Sequence, residues 1–283
     1  MAILIPYEST FDKKIDSLLQ PAPYFLIWGE KAITTLLAVA EDNIVGVGSL
    51  WNNSIHPYRD YIGIYIHPDY RKKGIGKELF DQLSLASNTK QLQITIQSTD
   101  QQAVTFLSKC SFKLARKCYT PVLKEAKPTH SKNTLIHGEI ASFGMVSEEN
   151  QKDTLEMQLK NYIDFHQMIN PLSEEMTMDR WKEIILEDLN LTHSKLLIVD
   201  EEVVAYIFFY NTENSNELEV GYIGGKETQQ IEDYLPFYKW TIEKIIAQYE
   251  IVSIEADDVD PYAFAALNCF KYDASLSLDA YVL

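Results

Sequence analysis

A chain of 283 residues can bury one large core or two ordinary ones, and its apolar and charged fractions, 46% and 23%, are those of a globular protein. The formal net charge of −16 excludes nucleic acid as an expected partner, and no apolar run approaches the roughly 20 residues of a spanning helix, so no membrane partner is expected either. The start, MAILIPYEST, lacks the basic flank and apolar length of a signal peptide, and the three scattered cysteines (Cys110, Cys118, Cys269) lack metal-ligand spacing. A reducing, cytoplasmic location without metal is the expectation.

The charge is unevenly spread. Residues 1–130 hold 15 basic and 12 acidic residues, a net of +3, whereas residues 131–283 hold 10 and 29, a net of −19. The front half can host a polyanion that the back half would repel. The acidity of the back half would also attract a cationic amine, although solubility alone explains it equally well.

In chain order, residues 2–6 read as a short strand, and Phe11 to Leu19 as a helix stopped by Pro21-Ala-Pro23. Ile33 to Ala40 and Ile44 to Trp51 are apolar strands joined at Glu41-Asp42-Asn43, a hairpin signature. A loop with Asn52, Asn53, His56 and Pro57 leads into Tyr61 to Phe80, YIGIYIHPDYRKKGIGKELF. Ile62, Ile64 and Ile66 alternate as in a strand, Pro68 ends it, and Leu79, Phe80, Leu83 and Leu85 mark the expected inward face of an amphipathic helix. Between strand and helix lie Arg71, Lys72, Lys73, Gly74, Ile75, Gly76 and Lys77. A helix start offers unpaired N–H groups and the positive end of its dipole, and the two glycines let an anion approach the backbone closely. The stretch reads as a cradle for a diphosphate. It has neither the Walker pattern nor the dinucleotide fingerprint.

Gln91 to Ser98 is the next strand, Asp100 caps a helix from Gln101 to Cys110, and Phe112 to Leu123 is a closing strand. The polar run Lys124 to Asn133 reads as a linker. The Arg-x-x-Gly-x-Gly spacing at Arg71–Gly76 resembles the acyl-CoA motif of the GNAT superfamily of N-acyltransferases, and the order of elements is similar to theirs. The segment Asp100-Gln-Gln-Ala103, Phe106-Leu107, Ser111-Phe112 resembles the family's second signature with three departures: Asp for Asn, Leu for Tyr and Ser for Gly.

The back half repeats the front. Asp260-Pro-Tyr-Ala263 lines up with Asp100 to Ala103 at an offset of 160, and the hairpin Lys195 to Tyr210 turns at Asp200-Glu201-Glu202. Glu217 to Ile223 and Ile231 to Gln248 stand where the strand at Ile62–Ile66 and the helix that follows Gly76 stood. Between them, Gly224 to Gln230 carries no Arg-x-x-Gly-x-Gly, while Glu227, Glu232 and Asp233 would oppose a diphosphate. Two helices, Gln151 to Met168 and Asp179 to Leu189, complete this half, as a wall for an acceptor groove or as a dimer contact. The expectation is therefore an α+β chain of two tandem GNAT-like domains, residues 1–127 with the acyl-CoA site and residues 128–283 degenerate and CoA-free. Each would have a mostly antiparallel sheet, a splayed strand pair and flanking helices.

The resemblance implies an N-acetyltransferase using acetyl-CoA, or another short acyl-CoA, on a small-molecule or peptide amine; the alternative is a silent acyl-CoA sensor or scaffold. It implies that the backbone of Ile64, Tyr65 and Ile66 pairs with the pantetheine arm. The amides of Lys72, Lys73, Gly74, Ile75, Gly76 and Lys77 would hold the diphosphate, and Arg71 would add charge. Asp100 and Ala103 belong to the cofactor-binding second signature. Asp60, four residues before Ile64, is the candidate general base, against the reading of an exposed carboxylate paired with Arg59. Leu107 stands where a proton-donating tyrosine is usual, leaving water, Tyr65 or Tyr119 as alternatives. His67 and Cys110 are expected to be structural, and Trp51, His56 and Tyr58 to lie on the acceptor side or in the core.

Overall fold

The computed structural model describes residues 2–20, 26–128 and 136–283, so the helix stop at Pro21–Pro23 and residues 129–133 of the expected linker lie outside the described residues. The chain divides into two compact units. The first holds residues 1–115, Ile169–Ser173 and Asp279–Leu283; the second holds Arg116–Met168 and Glu174–Leu278.

The first unit opens with β1 (Ile3–Pro6) and the short helix α1 (Asp12–Leu19), which buries Ile15 and Leu18. The strands β2 (Thr34–Ala40) and β3 (Asn43–Trp51) form a hairpin. Its two turn residues, Glu41 and Asp42, take φ of 50° and 63°, the left-handed pair that matches the twist of antiparallel strands. β4 (Asp60–Ile66) pairs with β3 along its whole length, from Trp51↔Tyr61 to Gly46↔Ile66. Then follow α2 (Ile75–Ala86), β5 (Leu92–Gln97), α3 (Gln101–Lys109) and the start of β6 (Lys113–Tyr119). The sheet order is β1-β2-β3-β4-β5, then the chain's last strand, then β6. Tyr65, Leu37 and Val47 pack with Ile15 of α1 on one face; Leu50, Ile62, Phe80, Leu83 and Leu107 form the core with α2 and α3 on the other. This alternation along β4 is what a half-turn side-chain period dictates.

The second unit contains β7 (Glu139–Ser142), α4 (Glu148–His166), α5 (Met178–Leu186), β8 (Lys195–Val199), β9 (Glu202–Asn211) and β10 (Glu217–Gly225). It continues through α6 (Ile231–Ile246), β11 (Ile251–Ile254), β12 (Ala256–Asp257) and α7 (Pro261–Leu267). Its five-stranded sheet runs β11-β10-β9-β8-β7. Its core is aromatic: Tyr206, Phe208, Phe209, Phe237, Tyr238 and Phe270 are all essentially inaccessible. Thr177 caps α5 and Ser147 caps α4 through side-chain oxygens, which fixes both starts.

The two units share a plan down to the residue. Asp200 and Glu201 turn the β8–β9 hairpin with φ of 50° and 69°, and the register slips between Leu197 and Ile198 as it does between Ala38 and Val39. The pair Gly46↔Ile66 recurs as Ala205↔Gly225 at an offset of 159. Asp100 and Asp260 both cap a helix, accepting from the amides of Ala103 and Ala263. The tandem expectation from sequence is therefore met in backbone conformation, not merely in element order.

The expected boundary at residue 127 differs from the observed division. Arg116 to Lys127 belongs to the second unit: Ala256 and Asp257 pair with Tyr119 and Cys118, the Leu123 amide donates to the Val252 carbonyl, and Lys127 to Cys269. Tyr119 and Leu123 are buried in that unit's core. In exchange the first unit receives the end of β13 (Leu278–Val282), whose successor Leu283 donates to the Leu92 carbonyl. Strand pairing is non-local, and a polar run such as KEAKP does not reveal which edge it pairs with. Among the described residues no helix is long and apolar enough to cross a membrane.

Candidate functional site

The site begins where two parallel strands part. β5 pairs with β4 only at Asp60↔Leu92 and Tyr61↔Gln93, although both strands continue. Beyond Tyr61, the edge of β4 that faces β5 has no ladder partner among the described residues. Ile64 and Ile66 turn their side chains to the core beside α2, and Tyr65 turns to the α1 side and is 4% exposed. The backbone groups of Ile64 and Ile66 therefore face the opening, while those of Tyr65 pair with Val47 of β3.

At the end of β4, His67 accepts from the Asp69 amide, and the Tyr70 and Arg71 amides return to the His67 and Pro68 carbonyls. The turn continues through Lys72 (φ 61°) to Gly74 (φ 88°), the N-cap of α2. The Lys77 and Glu78 amides both bond the Gly74 carbonyl, while those of Gly74, Ile75 and Gly76 have no acceptor among the described residues. Ile75 anchors the turn by burying its side chain. Gly74 is required by its left-handed backbone. Gly76 is not: a Cβ there would meet Phe106 at 3.6 Å and Ile66 at 3.9 Å, ordinary contacts. A glycine that weakens a helix without any packing need leaves room for something outside the chain.

The cations are not equally available. Arg71 donates through Nε to the Ile66 carbonyl at 2.9 Å and through Nη1 to Gln102 Oε1 at 3.3 Å, with its guanidinium over Tyr65. Lys77 is paired with Asp81, and Lys73 lies 4.7 Å over the Tyr70 ring. Lys72 has no ion pair or hydrogen bond among the described residues. Arg71 thus fastens the strand end to α3 rather than pointing freely at an anion. Gln102 and Phe106, the α3 residues that touch Arg71 and Gly76, were not legible as site residues; their i, i+4 spacing on the helix after Asp100 is the only signal they carry.

The other expected site residues fall as follows. Asp100 Oδ1 accepts from the Ala103 amide at 2.9 Å, so the two hold one another as a helix cap. Asp60 is 1% exposed and is not paired with Arg59. Its Oδ1 accepts from Asn52 Nδ2 at 3.0 Å; its Oδ2 accepts from Ser87 Oγ at 2.7 Å and from the Asn88 and Thr89 amides. Burial alone would raise its pKa, but these donors, led by Ser87 and Asn52, more than offset it and hold it below the usual carboxylate range. A carboxylate saturated in this way ties the end of α2 to the start of β4. Arg59 instead donates to the Ile169 carbonyl at 3.0 Å. Leu107 and Cys110 are buried in the core, Trp51 stacks on Tyr61 and Tyr58 is exposed. Tyr65 is a core side chain, and Tyr119 stacks on Phe264 within the second unit.

The same opening exists in the second unit, where β11 follows β10 only as far as Val220↔Ile254. Here it is filled. Gly224 and Gly225 lie within β10 rather than in a turn, and they are glycine because a Cβ at either would collide with Tyr206, Asn161 or Tyr234. Asn161 Nδ2 donates to the Gly225 carbonyl, Tyr238 Oη to the Gly224 carbonyl, and the Tyr262 ring closes on Gly225. Lys226 is paired with Glu202. Nearby, His166 lies between Asp257 and Asp260, and Arg116 binds Asp257 at 2.5 Å. Cys118, Glu255 and Asp257 bring potential donor atoms within 4.8 Å of one another. Cys118 already donates to Glu255, and the Arg116 cation already sits on Asp257, so the group reads as an internal network.

A parallel strand pair that opens, built twice and followed in the first unit by a glycine-started helix, decides the architecture. The chain has the tandem GNAT fold. Residues 31–114 match the family model described as "Acetyltransferase (GNAT) domain". No curated protein matches the sequence. Among solved structures, the chain is similar to a GCN5-related N-acetyltransferase from Sphaerobacter thermophilus, with a TM-score of 0.63 and 12% identity over 100% of this chain and 95% of that one. It is similar to a tandem GNAT protein from the clavulanic acid biosynthesis pathway, at 0.56 and 11% over 100% and 98%. A GCN5-related N-acetyltransferase from Kribbella flavida is also similar, at 0.51 and 11% over 100% and 70%. At these identities the likeness is one of fold. The GNAT domain match falls on the unit whose opening is unfilled, between β2 and the start of β6.

Proposed function

We propose that this protein is an acyl-CoA-dependent N-acyltransferase that transfers an acetyl group from acetyl-CoA to an amine, with the first unit binding the donor and the second holding none. The observation that carries the reading is the conjunction at Gly74–Gly76 of unpaired amides, a sterically unneeded glycine and the unpaired edge of β4. The diphosphate would sit on the amides of Gly74, Ile75 and Gly76, with Lys72 as the cation nearest to hand and Lys73 and Lys77 adding charge. The pantetheine arm would extend along Ile66, Tyr65 and Ile64, and an N–H of β4 would polarise the thioester carbonyl. A neutral amine attacks that carbonyl; the N–C bond forms, the C–S bond breaks, and the amine's proton leaves to water while the thiolate takes one up. Asp60 is a positioning group in this reading, since its lone pairs are already engaged.

The second unit's opening is satisfied by its own Asn161 and Tyr238, and Glu227, Glu232 and Asp233 surround the start of α6. These features support a CoA-free partner domain. The acceptor is a small or peptide amine, and the net of −19 over the back half favours a cationic one. The rival reading, a silent acyl-CoA sensor, is favoured by one observation: neither Asp60, Leu107 nor Tyr65 offers a free proton-transfer group at the opening. Calorimetric titration with CoA, followed by thiol release from acetyl-CoA with a panel of amines, separates the two. CoA uptake with amine-dependent thiol release supports the transferase; uptake without release from any amine supports the sensor; no uptake removes both.

A further inference from the structure

The first unit contains five residues from far along the chain, Ile169 to Ser173. They are held by backbone-directed bonds: Arg59 Nε donates to the Ile169 carbonyl at 3.0 Å, and the Ser173 amide to the Ile55 carbonyl at 2.9 Å. Ile169 and Leu172 are 6% and 8% exposed. The loop that holds them, residues 52–59, is itself fixed. Asn52 Nδ2 reaches the Pro57 and Arg59 carbonyls and Asp60 Oδ1, and Asp60 is locked to Ser87, Asn88 and Thr89. Strand, loop and distant segment are thus one hydrogen-bonded assembly.

Its location matters because of the direction in which β4 is read. The diphosphate cradle follows the C-terminal end of β4, so an extended arm laid on the strand runs back toward its N-terminal end. The opening closes at Tyr61↔Gln93. At about 3.3 Å per residue, Ile66 to Tyr61 is a path of roughly 17 Å. A thioester carried along it therefore meets its acceptor next to Asp60, Arg59 and whatever is fastened to them. That is the segment Ile169–Ser173.

We propose that Ile169–Ser173 forms the amine-side wall of the first unit, with Arg59 and Asp60 as the positioning residues that set it. The inference rests on the transferase reading and adds the element that selects the acceptor. The segment offers a half-buried amide at Asn170, a rigid Pro171 and the apolar side chain of Leu172. Such a wall reads the shape and hydrogen bonding of the amine's substituent.

The test uses the full-length protein. Asn170→Ala, Leu172→Ala and Arg59→Gln are each assayed with acetyl-CoA against methylamine, spermidine and a lysine-containing peptide. Melting temperature and CoA affinity by calorimetry are measured alongside. The expected result is an amine KM raised about tenfold, or a changed ranking among the three amines, with the acetyl-CoA KM within about twofold of the wild type. Asn170→Ala is the decisive variant, because it removes the segment's side-chain amide while the melting temperature reports whether the fold is kept. If it leaves amine KM and ranking unchanged, the wall is overturned; if acetyl-CoA KM and CoA affinity deteriorate equally, the segment is structural and the wall is again overturned. A wild type that binds CoA but acetylates none of the amines overturns the transferase reading, and the wall with it.

Discussion

Asn161 donates from Nδ2 to the carbonyl of Gly225 at 3.2 Å, at the strand position that corresponds to Ile66 in the first unit. The Ile66 carbonyl also receives a side chain, Nε of Arg71. The two donors differ in where they stand. Asn161 comes from α4 and fills the opening, whereas Arg71 belongs to the cradle turn and leaves the opening beside it. Under the proposed function a pantetheine amide would bond along this strand edge, and in the second unit the Asn161 amide takes that position. Replacing Arg71 by Lys keeps the charge but loses the fork that joins Ile66 to Gln102. CoA affinity is expected to fall about three- to tenfold, with the salt dependence of binding unchanged; calorimetry at two ionic strengths checks both.

Gly76 separates ligand space from packing space. In Gly76→Ala the new Cβ meets only ordinary contacts, and the helix gains about 0.5–1 kcal/mol from the loss of glycine. The melting temperature is expected to hold or rise while CoA affinity drops at least about tenfold. A variant that binds CoA as well as the wild type would show that nothing approaches this backbone.

Asp60 is expected to behave as a structural hub. Asp60→Ala strands the Ser87 hydroxyl, the Asn52 amide and two backbone amides, at a cost of about 2–3 kcal/mol read by urea denaturation. Because its folded pKa lies below the unfolded value, its contribution is present above that unfolded value and is lost as pH falls through the folded pKa. A pH–rate profile whose acidic limb survives in Asp60→Asn would agree with water, not this carboxylate, taking the amine's proton.

His166 gives the opposite sign. Burial disfavours its charge, yet Asp257 and Asp260 outweigh burial and raise its pKa from 6.5 to about 9. The stabilisation it supplies is complete below pH 6.5 and is lost as pH rises through about 9. Stability measured between pH 6 and 10 should decline by on the order of 2–3 kcal/mol in the wild type, and that decline should disappear in His166→Gln.

The exchanged strand makes the first unit depend on the end of the chain. Removing Asp279–Leu283 takes Tyr281 out of the core shared with Phe80, Leu92 and Leu107 and bares the edge of β5. The truncated protein is expected to lose CoA binding, and a fragment ending at residue 127 to remain unfolded; circular dichroism and calorimetry on both report the outcome.

Local chemistry was legible directly. The hairpin at Glu41-Asp42, the caps at Asp100 and Asp260 and the turn at Arg71–Gly76 are each written within a few residues, because left-handed turns, helix caps and glycine-started helices depend on neighbours in sequence. So was the duplication, since each signal recurs about 160 residues later. What the three-dimensional fold decided was partnership. Arg71 reaches Gln102 rather than standing free, Asp60 is enclosed by Ser87 and Asn52 rather than exposed, and residues 116–127 and 279–283 exchange units. A strand edge accepts any backbone, and a carboxylate's pKa follows from donors that arrive from elsewhere in the chain. Neither is encoded by spacing along the sequence.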